Sequence, residues 1–138
     1  MFFDELNIND ESKSPSKTIT DAHYLLFAGV TGDNHPSHYD VEFCKQTRYG
    51  KPVAHGLLVS GMTALGASSI NTKIDGFIFI EQGCRFLKPV VVGDTLYPSH
   101  KVEQKWQKGD KRFVRFKTMV KNQRGETVLE GFHIYLVD

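Results

Sequence analysis

The stretch HGLLVSGMTALGASS at residues 55–69 decides the fold, because its side chains are apolar or small in almost every direction. A helix of this composition is expected to be buried on all sides. Gly61 and Gly66 each cost such a helix about 1 kcal/mol relative to alanine. We therefore expect a β-sheet to approach the helix closely at these two glycines.

Four segments rich in β-branched and aromatic residues follow this helix and predict the sheet. They occupy residues 77–88, 95–108, 111–121 and 126–137, separated by turns at 92–94, 108–110 and 122–125. Consecutive short turns predict an antiparallel meander. An extended arm or edge strand in residues 1–20 would add a fifth strand. The predicted fold is α+β: one domain over residues 1–138, with a curved five-stranded antiparallel sheet around one buried helix.

The chain between the arm and the buried helix predicts a helix followed by a long loop. Thr20 is a good N-cap residue, and an apolar helical face follows it as far as Gly32. Residues 32–52 are irregular, with one short helix capped by Asp40. Loops of this length in small domains often carry function.

Composition excludes several classes of protein. The chain has 138 residues, of which 40% are hydrophobic and 24% charged, as is typical of one folded domain. Neither a secretory signal nor an apolar run of about 18 residues is present, so no membrane association is expected. Cys44 and Cys84 lack CxxC spacing and a histidine cluster. We therefore expect reduced thiols, a cytoplasmic location and no metal site.

Basic charge is concentrated in the C-terminal third. Residues 101–124 contain nine Lys and Arg against Glu103 and Asp110, a local balance of +7, whereas the whole chain carries +1. This segment is either an ordinary solvated strand face or an anion site for a phosphorylated ligand or nucleic acid.

The stretch TGDNHPSHYD at residues 31–40 holds the densest set of reactive side chains. Gly32 permits a sharp turn and Pro36 favours an extended backbone before it, so the loop can fold Asp33 and His38 toward one another around a water. A carboxylate paired with an imidazole suits the addition of water, because one group takes a proton and another returns one. Turn formation alone is the alternative role for these residues.

The stretch VAHGLL at residues 53–58 predicts an oxyanion site. Irregular chain becomes helix at His55 and Gly56, where free N–H groups and the positive end of the helix dipole meet. Gly56 has no side chain to block approach, so its N–H can hold negative charge that develops on a carbonyl oxygen. Relief of close packing is the other role for this glycine.

Three stretches resemble the MaoC-like, R-specific enoyl-CoA hydratases, in that family's order. They are FAGVTGDNHPSHYD at 27–40, PVAHGLL at 52–58 and RFLKPVVVGDTL at 85–96. The first is specific to the hydratases, whereas the third is shared by many hot-dog proteins. Together with the strand pattern, the resemblance covers nearly the whole chain. It implies a single hot-dog domain in which a helical overhang carries the active-site loop.

The resemblance also implies roles for individual residues. Asp33 and His38 match the catalytic pair, and Gly56 matches the oxyanion donor. The position before the loop proline is commonly Asn in the family, but here it is His35, with Asn34 one place earlier. Either residue can hydrogen-bond the loop, or His35 can line the pocket. The expected substrate-binding residues are Asn34, His35, His55 and Ser60, although Ser60 could simply pack against the sheet.

The implied reaction is reversible hydration of trans-2-enoyl-CoA to (3R)-3-hydroxyacyl-CoA in fatty acid metabolism, a hydro-lyase reaction. No cofactor is expected beyond the coenzyme A that the substrate carries. The basic C-terminal third could bind the phosphates of coenzyme A or attract an acidic acyl-carrier protein. A homodimer is expected, because a lone hot dog leaves a sheet edge uncovered.

Two other functions are compatible with the sequence. A hot-dog acyl-CoA thioesterase would use the same oxyanion donor but direct water at the carbonyl carbon, and the loop from Asp33 to His38 favours the hydratase. A non-catalytic protein would hold an acyl ligand, or would bind nucleic acid on basic strands interleaved with Trp106, Phe113 and Phe116. The pI of about 7.8 and the absence of a recognisable motif count against nucleic acid.

Overall fold

The computed structural model describes residues 2–74 and 76–137. Its helices are α1 (Phe2–Glu5), α2 (Asp21–Thr31), α3 (Val41–Cys44) and α4 (Gly56–Gly61). Its strands are β1 (Glu11–Lys13), β2 (Lys17–Thr18), β3 (Ile78–Phe86), β4 (Thr95–Lys108), β5 (Lys111–Lys121) and β6 (Thr127–Val137). The four long strands begin and end within two residues of the predicted bounds. No helix in the described ranges is long and apolar enough to cross a membrane.

Strand order is where the sheet differs from the prediction. The order is β1-β4-β5-β6-β3, with every pair antiparallel, and the short β2 also pairs with β4. The meander therefore includes only β4, β5 and β6, and the prediction that β3 continues it was wrong. Residues 87–94 form a crossover rather than a hairpin, because β3 pairs with β6 and not with β4. Val91 in this connection bridges to Val53. A turn motif predicts a reversal of the chain but not which strand will lie alongside.

The central helix is shorter and more open than predicted. Helix α4 ends at Gly61, and a short 3-10 helix, Leu65–Ala67, follows after a turn. Val59 is buried in the core, whereas Leu57 is 66% exposed, because the sheet covers only one face of the helix. A Cβ atom added at Gly61 or Gly66 would meet nothing within 4 Å. The expected close approach of the sheet at these glycines was therefore wrong.

The core lies between the helices and one face of the sheet and has two parts. One part packs Tyr24 and Val59 against strand residues such as Leu96 and Leu129. The other packs Leu65 against Phe116 and Tyr135, with Leu6 from the N-terminal arm closing that end. The arm adds β1 as an edge strand, as predicted, with Glu11 opposite Lys101.

Two capped helices hold the predicted functional loop between them. At the start of α2 the Thr20 N–H donates to His23 Nδ1 at 2.9 Å. The helix ends at Gly32, whose φ of 76° is left-handed and whose N–H donates to the Ala28 carbonyl. Asp40 caps α3 by accepting a 2.9 Å hydrogen bond from the Phe43 N–H. The loop ends are thus fixed by local chemistry that is readable in the sequence.

Candidate active site

The loop between α2 and α3 brings Asp33 and His38 together. Asp33 Oδ2 lies 3.7 Å from His38 Nε2, with the side chains 49% and 13% exposed, respectively. This separation is too long for a good direct hydrogen bond and suits a bridging water. Asp33 Oδ1 accepts a 3.3 Å hydrogen bond from the His35 N–H, an Asx turn that leaves Oδ2 for His38.

A backbone carbonyl fixes the tautomer of His38. His38 Nδ1 lies 2.8 Å from the Val53 carbonyl oxygen, and a carbonyl only accepts, so Nδ1 carries a proton. In the neutral imidazole Nε2 is then an acceptor that faces Asp33. The Val53 N–H donates to the Ser37 carbonyl at 3.1 Å. The loop is thus fastened to the segment before α4 at two successive residues.

His55 lies behind the pair rather than open to solvent. It is only 1% exposed, and its Nε2 lies 3.1 Å from the Asp33 carbonyl oxygen. Its ring stacks on the His38 ring with centroids 3.7 Å apart and planes 23° apart. Phe27 and Tyr24 also contact the His55 ring. His55 therefore touches both members of the pair and exposes almost no surface to a substrate.

Asn34 and His35 both stabilise the loop. Asn34 Nδ2 donates to the Gly32 carbonyl at 3.3 Å, and the Asn34 carbonyl accepts a hydrogen bond from the Tyr39 hydroxyl. His35 Nδ1 accepts from the Ser37 N–H at 3.2 Å and lies 2.7 Å from Ser37 Oγ. His35 thereby caps the 3-10 helix Pro36–His38. Of the two roles left open for His35, the structure shows the loop-holding one.

Gly56 and Ser60 occupy one side of α4, a turn apart. The first intrahelical donors are the N–H groups of Leu58 and Val59, which both bond to the His55 carbonyl, so the Gly56 N–H precedes them. A Cβ atom at Gly56 would lie 3.3 Å from the Phe86 ring, so close packing also favours glycine here. Ser60 is half-buried, and Cys84 Sγ on β3 lies 3.9 Å from its hydroxyl.

Three cavities surround these residues. A cleft of about 430 Å³ is lined by Gly56 and Phe86, with Arg48 and Lys88 at its wall. A cavity of about 480 Å³ is lined by His38 and by Tyr24, Tyr39, Lys51 and Val92. The third, about 610 Å³, is lined by Phe27, Leu58, Gly61, Met62 and Ala64. No residue of the basic segment 101–124 lines the first two.

The same constellation could be read as a metal site. Asp33, His38 and His55 each offer a ligand atom, and these atoms lie within 4.8 Å of one another. The lone pairs of imidazole lie in the ring plane, and the two rings are nearly parallel, so their lone pairs do not converge on one point. One nitrogen of each ring also faces a carbonyl oxygen. The arrangement therefore suits proton transfer better than metal coordination.

Sequence reasoning missed a second pair of histidines. His100 on β4 and His133 on β6 are 1% and 4% exposed, with ring centroids 5.3 Å apart. Burial lowers the pKa of each to about 4, and for His100 the neighbouring His133 adds to this effect. Their inward positions in the strand alternation were the available signal. Neither residue lines a cavity that contains Gly56 or His38.

Tyr24 was also missed as a polar group near the site. It is 1% exposed, and its hydroxyl has no hydrogen-bond partner within the described structure. Burial, with a smaller contribution from Asp94, raises the pKa of the Tyr24 hydroxyl. Sequence reasoning assigned Tyr24 only to the apolar face of α2, because a tyrosine in a helical stripe is typical of core packing.

Comparison with known proteins gives one consistent relationship. The family described as "MaoC like domain" matches residues 6–124. An (R)-specific enoyl-CoA hydratase from Rhodospirillum rubrum is 30% identical over 132 residues, which cover 94% of this chain and 87% of that protein.

Two solved structures share the fold. A protein from Archaeoglobus described as a monoamine oxidase regulatory protein has a TM-score of 0.89 at 34% identity and covers 99% of this chain and 94% of its own. The unliganded R-hydratase from Pseudomonas aeruginosa has a TM-score of 0.78 at 29% identity, with 96% and 83% covered. These matches confirm the α+β hot-dog prediction. The chain therefore belongs to the MaoC-like domain family, whose relatives include hydro-lyases acting on enoyl-CoA.

Proposed function

We propose that this chain catalyses the reversible hydration of a trans-2-enoyl-CoA to the (3R)-3-hydroxyacyl-CoA, with Asp33 and His38 as the catalytic pair. One observation carries the proposal: Asp33 Oδ2 and His38 Nε2 face one another at 3.7 Å. Both atoms are acceptors when Asp33 is ionised and His38 neutral. A water between them donates one proton to each, which leaves its lone pairs free to attack carbon.

The reaction balances with water alone. The water oxygen bonds to carbon 3 while one member of the pair takes its proton, and a proton is delivered to carbon 2. The negative charge that develops on the thioester oxygen is stabilised by the Gly56 N–H, which lies ahead of the first intrahelical donors. No cofactor takes part in this scheme, and coenzyme A remains attached to the acyl group throughout.

The cavities suggest where the rest of the substrate lies. We place the acyl chain in the 610 Å³ cavity, because Phe27 in its wall also contacts His55 and because Gly61 leaves space there. Arg48 and Lys51 line the cavities beside Gly56 and His38 and are placed to bind coenzyme A phosphates. Ser60 lies one turn beyond Gly56 and is proposed to contact the substrate.

A second copy of the chain is the proposed partner. Strand β3 is at the end of the sheet order, and Ile78, Phe79 and Ile80 on it are each about half exposed. Val30 on α2 and Leu57 on α4 are 86% and 66% exposed. An open strand edge beside exposed apolar side chains is typical of an unsatisfied interface. Light scattering should therefore give the mass of a homodimer, and Ile80→Lys should shift it toward the monomer.

A cytoplasmic setting and an acyl-CoA substrate complete the proposal. Cys44 and Cys84 are both free thiols, as expected in a reducing compartment. An acyl-carrier protein is the other carrier to test, since a carrier could present the same thioester to the pair.

The test is the loss of enoyl-thioester absorbance with crotonyl-CoA and a longer enoyl-CoA, run beside a free-thiol assay and repeated with crotonyl acyl-carrier protein and with EDTA. We expect absorbance to fall without thiol release, equally in EDTA. Thiol release would show a thioesterase instead. Activity only on the carrier-protein substrate would show that the acyl group is carried by an acyl-carrier protein and not by coenzyme A. Loss of activity in EDTA would contradict the cofactor-free scheme.

A further inference from the structure

We infer that His55 is a positioning residue that sets the geometry of the Asp33 and His38 pair and faces the imidazolium formed on His38. The inference rests on the proposed function for its chemical meaning. It starts from contacts that the hydration scheme does not use: a hydrogen bond to the backbone of Asp33 and a ring stacked on His38.

The hydrogen bond fixes one side of the pair. His55 Nε2 lies 3.1 Å from the Asp33 carbonyl oxygen, so Nε2 carries the proton and donates it. Asp33 is otherwise held in the loop by short-range hydrogen bonds, such as that of its own N–H to Thr31 Oγ1. The bond from His55 is therefore a long-range tie between the backbone of Asp33 and the buried start of α4.

The ring stack fixes the other side. The His55 ring covers one face of His38 at 3.7 Å, while the Val53 carbonyl holds the edge of the His38 ring through Nδ1. Residues 53–55 thus position both the ring plane and the rotation of His38. This segment is anchored by the Ala54 N–H, which donates to the Val90 carbonyl at 2.8 Å. The gap between Asp33 and His38 is accordingly set by the folded core as well as by the loop's own hydrogen bonds.

The stack also bears on the charge that catalysis creates. Where His38 is the member of the pair that takes the proton of water, it becomes a cation, and a neutral aromatic ring attracts a cation held over its face. His55 Nδ1 is buried without a hydrogen-bond partner in the described structure. A second proton there would put an unpaired buried charge against the His38 imidazolium.

Two substitutions separate the two contacts. His55→Gln keeps an N–H donor for the Asp33 carbonyl and removes the ring, whereas His55→Phe keeps a ring against His38 and removes the donor. A displacement of about 1 Å at a reacting group can cost about 100-fold in rate. We expect each variant to lower kcat for crotonyl-CoA by about 10- to 100-fold and His55→Ala, which keeps neither contact, to lower it further.

The controls distinguish positioning from folding and from substrate binding. The Kd of the unreactive analogue butyryl-CoA should stay native in His55→Gln and His55→Phe, and crystal structures should show a changed distance from Asp33 Oδ2 to His38 Nε2. His133→Phe, at another buried histidine that does not touch the pair, should lower Tm but keep kcat.

Several outcomes would overturn the inference. Native kcat in either His55→Gln or His55→Phe would do so, as would a loss of butyryl-CoA affinity equal to the loss of kcat. An unchanged distance between Asp33 and His38 in both structures would also contradict it. A native protein inactive on all enoyl thioesters would instead refute the proposed function, and the distance measurement would still decide whether His55 positions the pair.

Discussion

Two pairs of histidines in this molecule differ in whether one ring of the pair reaches solvent and a carboxylate. His38 and the buried His55 stack beside a carboxylate, with His38 13% exposed and 3.7 Å from Asp33. His100 and His133 lie under the central strands with hydroxyl partners, namely Thr118 for His100 and Thr63 for His133. The comparison teaches that the same side chain carries chemistry or fills the core according to its access to solvent and to a charged partner.

The backbone around each pair explains the difference further. His38 lies in a loop outside the sheet, where its ring contacts the Val53 carbonyl and the His55 ring. His100 and His133 lie on strands that pair on both sides, with His100 opposite Thr118 and His133 opposite Phe116. Substitutions in the loop should therefore affect activity, and substitutions beneath the sheet should affect stability.

The largest expected effect is on activity. Asp33→Asn and His38→Gln remove the groups that can take a proton from water and return one, and general acid–base groups contribute about 10²- to 10⁴-fold in rate. We expect kcat on an enoyl-CoA to fall within that range while Tm stays near native, measured by absorbance and calorimetry. Glu42→Gln, on an exposed side chain of α3, is the matched control and should leave both unchanged. A large fall in Tm in the loop variants would break the comparison.

The second-largest effect is on the pH dependence of the free energy of unfolding. Burial lowers the folded-state pKa of His100 and His133 to about 4 from 6.5, so the unfolded chain binds more protons between these values. The contribution of these two histidines to the free energy of unfolding is fully present above pH 6.5 and is lost as the pH falls toward 4. The loss is on the order of 3 kcal/mol for each histidine.

Urea unfolding at pH 7, 6 and 5 tests this dependence. The native protein should lose stability toward pH 5, and the double variant His100→Leu with His133→Leu should show a flatter dependence, whatever its stability at pH 7. An equal slope in both proteins would contradict the assignment of these two histidines to the core.

A smaller effect concerns the open face of α4. Gly61→Leu should fill the cavity proposed for the acyl chain, and a hydrophobic pocket discriminates about 10- to 200-fold per methylene. We expect kcat/KM to fall for a longer enoyl-CoA much more than for crotonyl-CoA. Gly29→Leu on α2, where a Cβ also meets nothing within 4 Å, is the control. Equal losses on both substrates would place the acyl chain elsewhere.

The smallest expected effect is at the turn that closes the sheet. Glu126 accepts hydrogen bonds from Lys88, Asn122 and Arg124, which lower its pKa to about 2. The stability that these hydrogen bonds contribute is fully present above the ordinary pKa of a glutamate carboxyl. It is lost as the pH falls toward 2. Glu126→Gln should lower Tm modestly at pH 6, less at pH 3, and leave activity native. Glu103→Gln, which breaks an exposed pair with Arg115, should change Tm less.

Local signals were enough for the elements but not for their arrangement. Turn residues and alternation gave the long strands within two residues, and capping residues gave α2 and α3, because these signals act over a few positions. They could not show that β3 pairs with β6, since that pairing depends on a crossover through residues 87–94. The residue pattern also did not predict where α4 ends, because a run of small apolar residues suits a helix, a turn or a 3-10 helix equally.

The sequence by itself determined which residues could carry chemistry: Asp33 and His38 in one loop, and Gly56 at a helix start. Residue spacing and the positions of glycine and proline govern local backbone structure, so their effects can be recognised in the sequence alone. Only the tertiary structure decided that His55 lies behind the pair and that no residue of the basic segment 101–124 lines the cavities with Gly56 and His38. Those facts depend on contacts between residues distant in the chain, and packing of the whole core fixes such contacts.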